Sequence, residues 1–185
     1  LMSWKKIIED KKFSYVNDDI IFESLNLDNV SFQYPNKDLN AIENVSLEIK
    51  KNQIVGFVGK SGSGKSTLAD IILGLLDPQK GKIKINGNSL NDSNRRSWLN
   101  NFGYVSQNIF LSDSSIRENI AFGIPEDKIN EDQISKCIKL ANLDELLETL
   151  PDGINTIIGE KGLQLSGGQQ QRLAIARSLY NDPSI

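Results

Sequence analysis

The chain has 185 residues, 38% of them apolar and 24% charged, the balance of one globular domain rather than of a disordered segment. A net charge of −3 and a pI near 5.1 leave no general nucleic-acid footprint. No apolar run approaches the ~20 residues of a membrane span, the opening stretch LMSWKKIIEDKKFSYV shows no signal-peptide core, and the single cysteine, Cys137, excludes an internal disulfide and fits a reducing compartment.

Residues 1 to about 24 mix charges and aromatics without a clear period and read as a connector, part of it an edge strand. Leu27–Tyr34 and Ile42–Ile49 alternate as strands do, on either side of the breaker-rich turn PNKDLN. Gln53–Gly59 (QIVGFVG) is a short β-branched apolar run, expected as a fully buried strand. A helix is expected over Lys65–Leu76, with Leu68, Ile71, Ile72 and Leu75 on one face. DPQKG breaks it, and Lys82–Ile85 is a short strand ending at Asn-Gly. A short helix over Arg95–Asn100 precedes a strand at Phe102–Ser106. From Ser114 to about Leu150 the pattern is helical, with Ile134, Cys137, Ile138 and Ala141 sharing one face and Leu143, Leu146, Leu147 and Leu150 another. Cys137 on that face reads as a small core residue. The last helix runs from about Gly168 to Tyr180 and is closed by NDP. Strands alternating with helices after an antiparallel beginning give an α/β domain.

The strongest motif is GKSGSGKST, Gly59–Thr67, which satisfies G-x-x-x-x-G-K-[ST] between an apolar run and an amphipathic helix. A triphosphate needs many closely packed donors. Glycines at 59, 62 and 64 let the backbone wrap phosphates with its N–H groups pointing inward. The following helix adds the positive end of its dipole. Lys65 reaches the β- and γ-phosphates as a point charge, and the Ser66 hydroxyl can ligate Mg²⁺. The plainer alternative is a glycine turn joining strand to helix.

About 100 residues further on stands LSGGQ, Leu165–Gln169. With VSFQYP, YVSQNIFL and IIGEKG in order around these two motifs, the chain resembles the nucleotide-binding domain of ATP-binding cassette (ABC) transporters of the exporter type, from about Leu27 onward. The resemblance implies a P-loop NTPase core with an antiparallel β subdomain and a helical subdomain at about 107–165. Residues 1–24 would link it to a transmembrane domain, and residues 25–185 would form the nucleotide-binding domain. It implies that Tyr34 stacks on adenine and that Gly59, Ser61, Gly62, Ser63, Gly64, Lys65, Ser66 and Thr67 hold the phosphates of ATP. Ser66 and the amide of Gln107 would take Mg²⁺, with Gln107 and Lys65 as the catalytic residues on this chain. LSGGQ puts glycines and a serine at a helix N-terminus, an anion site without a lysine. By the resemblance, Ser166, Gly167, Gly168 and Gln169 serve the ATP of a second cassette, two domains packing head to tail.

In the family an apolar strand follows LSGGQ and its helix, ending in an Asp that supports Mg²⁺ and a Glu that polarises water. A later loop carries a histidine. None has a counterpart here, and the sequence holds no histidine. The resemblance therefore implies a cassette cut before that strand, which binds ATP and hydrolyses it poorly. It further implies that Gln107–Gly123 and Glu160 face a membrane domain, that the cassette works on the cytoplasmic face of the membrane, and that export or lipid flipping is the task rather than import. Richness in Ile, Asn and Lys suits an AT-rich bacterial genome. Two alternatives stand: a nucleotide-binding module without turnover, and a soluble ABC ATPase acting on nucleic acid. The compact span from Gln107 to Leu165 and the acidic pI speak against the second.

Overall fold

The computed structural model describes residues 20–35, 37–159 and 163–185, so residues 1–19 of the connector read over 1–24, and Glu160 of the IIGEKG loop, lie outside it. The chain divides into two compact units, one reaching to Asn101 and one running from Phe102 to Ile185. Among the described residues no helix is long and apolar enough to cross a membrane.

The first unit is built on an antiparallel sheet of β1 (Ser24–Phe32), β2 (Ile42–Lys50), β3 (Lys80–Ile85) and β4 (Asn88–Ser89), in the order β2-β1-β3-β4. In β1 the apolar residues fall at 25, 27, 30 and 32, a gap of three in a period of two. A regular strand would turn Val30 and Phe32 to the opposite face. The pairing register instead shifts after Leu27 and Asp28, with Asn29 at φ 49°, so all four side chains are buried. Gly81 of β3 lies against this bulge, where a β-carbon would stand 2.3 Å from the Asp28 carbonyl oxygen. The expected Asn-Gly turn closes β3 onto β4, Asn86 and Gly87 having φ of 50° and 81° as a type I′ hairpin needs.

Helix α1 (Lys65–Leu73) buries Leu68, Ile71, Ile72 and Leu73. It stops three residues before the expected end because Gly74 turns left-handed at φ 75°, with Gly74 N donating to Ile71 O at 3.0 Å and Leu75 N to Asp70 O at 2.9 Å. Leu75 is thereby exposed rather than part of the apolar face. Helix α2 (Arg95–Leu99) delivers Trp98, fully buried, whose indole N–H donates to Ile72 O at 2.9 Å and whose ring meets Phe22 at 5.7 Å between centroids.

Two strand expectations fail. Gln53–Gly59 forms no strand, and Ile54 and Val58 are almost wholly exposed. Phe102–Ser106 likewise joins no ladder; Gly103 N donates to Ile185 O at 2.9 Å. A buried parallel strand needs a neighbour to take its N–H and C=O groups. Among the described residues neither segment has a strand beside it.

In the second unit the helical stretch breaks into α3 (Ile116–Ile120), α4 (Glu131–Leu140) and α5 (Asp144–Glu148), with 3₁₀ turns at Glu126–Lys128 and Gly153–Asn155, before α6 (Gly167–Leu179). Their buried faces form one core of Ile116, Ile120, Ile134, Cys137, Ile158, Leu173 and neighbours. The expected faces hold: Ile134, Cys137, Ile138 and Ala141 are buried, Leu143 is buried, and Leu146, Leu147 and Leu150 pack on the core's edge. Burial pushes the Cys137 thiol up from its ordinary pKa. Helix α3 opens with a reciprocal cap. Glu118 N donates to Ser115 Oγ at 3.1 Å, and Ser115 N donates to the Glu118 carboxylate at 2.9 Å.

The Ser115 hydroxyl and N–H bonds hold the Glu118 carboxyl below its ordinary value of 4.5. A depressed carboxylate stabilises the fold above its unfolded pKa and loses that contribution as pH falls through the folded value. Chemical denaturation of Glu118→Gln against the wild type should show a gap that is constant from neutrality to about pH 5 and closes below it. A gap that widens in acid would contradict the cap.

Candidate nucleotide site

The loop Gly59–Thr67 leads directly into α1, and its conformation is set by two left-handed glycines, Gly62 at φ 79° and Gly64 at φ 87°. Gly64 is also closely packed: a β-carbon there would stand 2.4 Å from Ala41 O and 2.9 Å from the Ile42 side chain at the start of β2. At Gly59 the same atom would meet Ser63 Oγ at 2.5 Å. Gly64 is the N-cap of α1 and supplies no side-chain acceptor, so the first-turn N–H groups are uncapped. The Lys65 ammonium lies back over the loop, donating to Gly59 O at 2.9 Å, Lys60 O at 2.8 Å and Ser63 Oγ at 3.4 Å. Ser61, Ser63 and Ser66 are exposed around it. Free amides, a left-handed glycine path and one ammonium are the donor set of a polyphosphate cradle.

Tyr34 reaches the same place from the sheet. Past the end of β1, the Gln79 side chain takes the part of a further strand residue: Gln33 N donates to Gln79 Oε1 and Gln79 Nε2 to Gln33 O, both at 2.8 Å. The extended chain carries Tyr34 to α1, where its hydroxyl lies 3.1 Å from Thr67 Oγ1. Its ring meets Phe32 edge-to-face at 5.0 Å and stays 39% exposed, leaving a face for a planar ligand. Thr67, expected among the phosphate ligands, is buried, and its hydroxyl holds Tyr34. Gln79 escaped the sequence reading because nothing in PQKG marks a side chain that mimics backbone.

In the second unit Leu165–Gln169 brackets the start of α6. Leu165 is buried in the core, and Ser166 is the N-cap, accepting from Gln169 N at 3.4 Å while Ser166 N donates to Gln169 Oε1 at 2.8 Å. Gly167 and Gly168 are exposed, with open space where a β-carbon would be. Gln107, also exposed, lines a groove with Gly167, Gln170 and Gln171, so the structure brings Gln107 and the start of α6 together. The sequence reading missed two residues that hold this region. Asn119, fully buried, donates to Ser112 O and Ser115 O and accepts from Ser112 N at 3.0 Å. Arg177 of α6 donates to Asn119 O, Asn119 Oδ1 and Phe110 O at 2.7–2.8 Å. Burial lowers the pKa of Arg177.

A protein-family model described as ABC transporter matches residues 42–185. The chain belongs to the ABC transporter family. It is 43% identical over 158 residues to ABC transporter B family member 22 of Arabidopsis thaliana, covering 85% of this chain and 13% of that protein. It is 36% identical over 168 residues to an ATP-dependent lipid A-core flippase of Cupriavidus pinatubonensis, covering 90% of this chain and 28% of that protein. A solved bacterial Atm1-family ABC exporter with ATP bound superposes with a TM-score of 0.78 at 35% identity, over 88% of this chain and 28% of that one. The chain thus spans between an eighth and a third of the length of these relatives. The ABC ATPase fold expected from the motifs is the fold these matches share.

The two loop glycines separate strain from packing. Gly62→Ala meets only the backbone cost of φ > 0, about 1 kcal/mol. Gly64→Ala adds a collision with Ala41 O and should cost about 2 kcal/mol more. Urea midpoints measure both, and equal losses would contradict the tight seat of Gly64 on β2.

Proposed function

We propose that this chain is the nucleotide-binding domain of an ABC exporter and that it binds Mg-ATP on the loop Gly59–Thr67. The observation that carries the reading is Lys65, its ammonium gathered by loop acceptors beside an uncapped helix start, with Tyr34 tied to the same helix through Thr67. On binding, the Lys65 ammonium exchanges loop carbonyls for β- and γ-phosphate oxygens. The backbone amides of Gly62, Gly64, Lys65 and Ser66 donate to the same oxygens, and Tyr34 stacks on the adenine. Ser66 would offer a bound Mg²⁺ one hard oxygen, and the ion would supply neutralisation of phosphate charge. The Gln107 amide offers a carbonyl oxygen that would ligate the metal and an NH₂ group and oxygen that would orient water.

LSGGQ serves a second cassette. Ser166 Oγ–H and the Gly168 amide donate to the γ-phosphate held on the partner's loop, two domains enclosing two ATP molecules head to tail. The cassette works at the cytoplasmic face, docked to a transmembrane domain through the Gln107–Gly123 stretch. Export or lipid flipping is favoured by relatives named as a lipid A-core flippase and a putative multidrug export protein. None of these 185 residues matches the family's metal-supporting Asp, water-polarising Glu or γ-phosphate histidine, so a polypeptide of these residues binds nucleotide with little turnover.

Calorimetric titration with Mg-ATP tests the site. Lys65→Ala should weaken binding by about tenfold or more through loss of a charge-assisted phosphate contact. Unchanged affinity would sink the assignment. Phosphate release by the same 185 residues should stay near background; brisk release would place a catalytic base within them.

A further inference from the structure

We propose that Arg177 is a positioning residue that makes the Gln107 segment, the exposed Phe110–Phe122 pair and the LSGGQ helix move as one body. The inference rests on the reading of the chain as an exporter's nucleotide-binding domain.

Helix α6 starts at the LSGGQ glycines, and Arg177 follows ten residues after Gly167, about 15 Å along the axis at 1.5 Å per residue. Each nitrogen of its guanidinium has one acceptor. Nε donates to Asn119 O at 2.8 Å, Nη2 to Asn119 Oδ1 at 2.8 Å and Nη1 to Phe110 O at 2.7 Å. The guanidinium carbon also lies 4.8 Å above the centre of the Phe122 ring. Phe110 is three residues past Gln107, in a stretch from Phe102 to Ser114 with neither helix nor strand. Backbone outside a ladder is fixed only by the partners its polar groups find. For the Gln107 segment, those partners at its far end are Arg177 and Asn119, both on or against α6.

The outward side of this junction is aromatic. Phe110 and Phe122 are 66% and 51% exposed and meet edge-to-face at 6.4 Å. Anything that presses on this pair presses on the two groups the guanidinium grips, and α6 receives the displacement along its length. Packing alone does not explain an arginine here. Among the described residues its partners are carbonyl and amide oxygens and a ring, so a half-buried charge stands without a carboxylate. A desolvated charge is a poorer cement than an apolar side chain of similar volume. What arginine adds is a planar fork that fixes three acceptors in direction, which a lysine ammonium does not reproduce.

The test is steady-state ATP hydrolysis and ATP-site counting on the complete transporter that contains this chain. Arg177→Met should lower kcat by about tenfold while KM for ATP and ATP sites per molecule change by less than about twofold. Arg177→Lys should recover part of kcat. Fewer ATP sites with unchanged kcat per site would mean that Arg177 only supports folding, and would overturn the role. If the Met variant does not fold, Phe122→Leu removes only the ring contact from an exposed residue. It should show the same kcat loss at smaller size; an unchanged kcat overturns the proposal. Wild type that binds no ATP would remove the functional reading and this inference with it. Wild type that binds and turns over, with variants that match it, would remove this inference alone.

Discussion

One buried amide organises the second unit. Asn119 has no exposed surface, yet its side chain makes four donor contacts, to Ser112 O, Ser114 O, Ser114 Oγ and Ser115 O, and accepts from Ser112 N, Ser112 Oγ and Arg177 Nη2. A buried polar group left unpaired costs about 1–3 kcal/mol, so a saturated amide in a core tolerates no drift of its partners. Those partners belong to the irregular segment before α3, to the start of α3 and to α6. The segment from Gln107 to Ser114 therefore has a defined path without any secondary structure of its own. Ser115 caps α3 and pairs with Ile157 across an isolated bridge, extending the same constraint to the stretch before LSGGQ.

In the first unit the equivalent constraint is the bulge in β1. With it, Leu25, Leu27, Val30 and Phe32 are all buried although their spacing is irregular. Beyond it the strand continues only because Gln79 supplies both a donor and an acceptor to Gln33. The ring of Tyr34 is thus placed by a chain of ordinary causes: a bulge that sets phase, a glutamine that stands in for backbone, and a threonine that takes the hydroxyl. Each is local, and together they bring an aromatic face to the helix that carries Lys65.

Much of this was legible in the sequence, and the reasons divide cleanly. The phosphate loop, LSGGQ, the break at Asn-Gly and the apolar faces of α4 and α5 follow from residue type at fixed spacing, and the matched family model bears out the family that the two long motifs indicate. The failures concern neighbours. QIVGFVG and FGYVS have strand composition, but composition states what a segment can pair with, not that a partner lies beside it; Ile54 and Val58 stand in water. Helix α1 was read too long because Leu75 continued its period, while Gly74 ended it. Asn119, Arg177 and Gln79 were invisible for another reason. Their work is done between segments far apart in sequence, 58 residues in one case and 46 in another, and no spacing rule spans such gaps.

The two glycine-rich helix starts show how one geometry divides into two uses. At α1 the cap is a left-handed glycine, no side chain takes the first-turn amides, and a lysine stands beside them, the surplus of donors on which the proposed phosphate site rests. At α6 a serine and a glutamine satisfy each other's backbone amides, which stabilises the helix by about 1 kcal/mol whatever else the motif does. The second arrangement reads at first as a structural cap with nothing left to offer. Yet Ser166 Oγ takes part in the cap as an acceptor, through a long bond of 3.4 Å, and its O–H proton is not consumed by it. The Gly167 and Gly168 backbones beside it are exposed, with open space above them. The cap therefore fixes the direction of a donor rather than spending it, as the role proposed for this surface at another cassette's phosphate site requires.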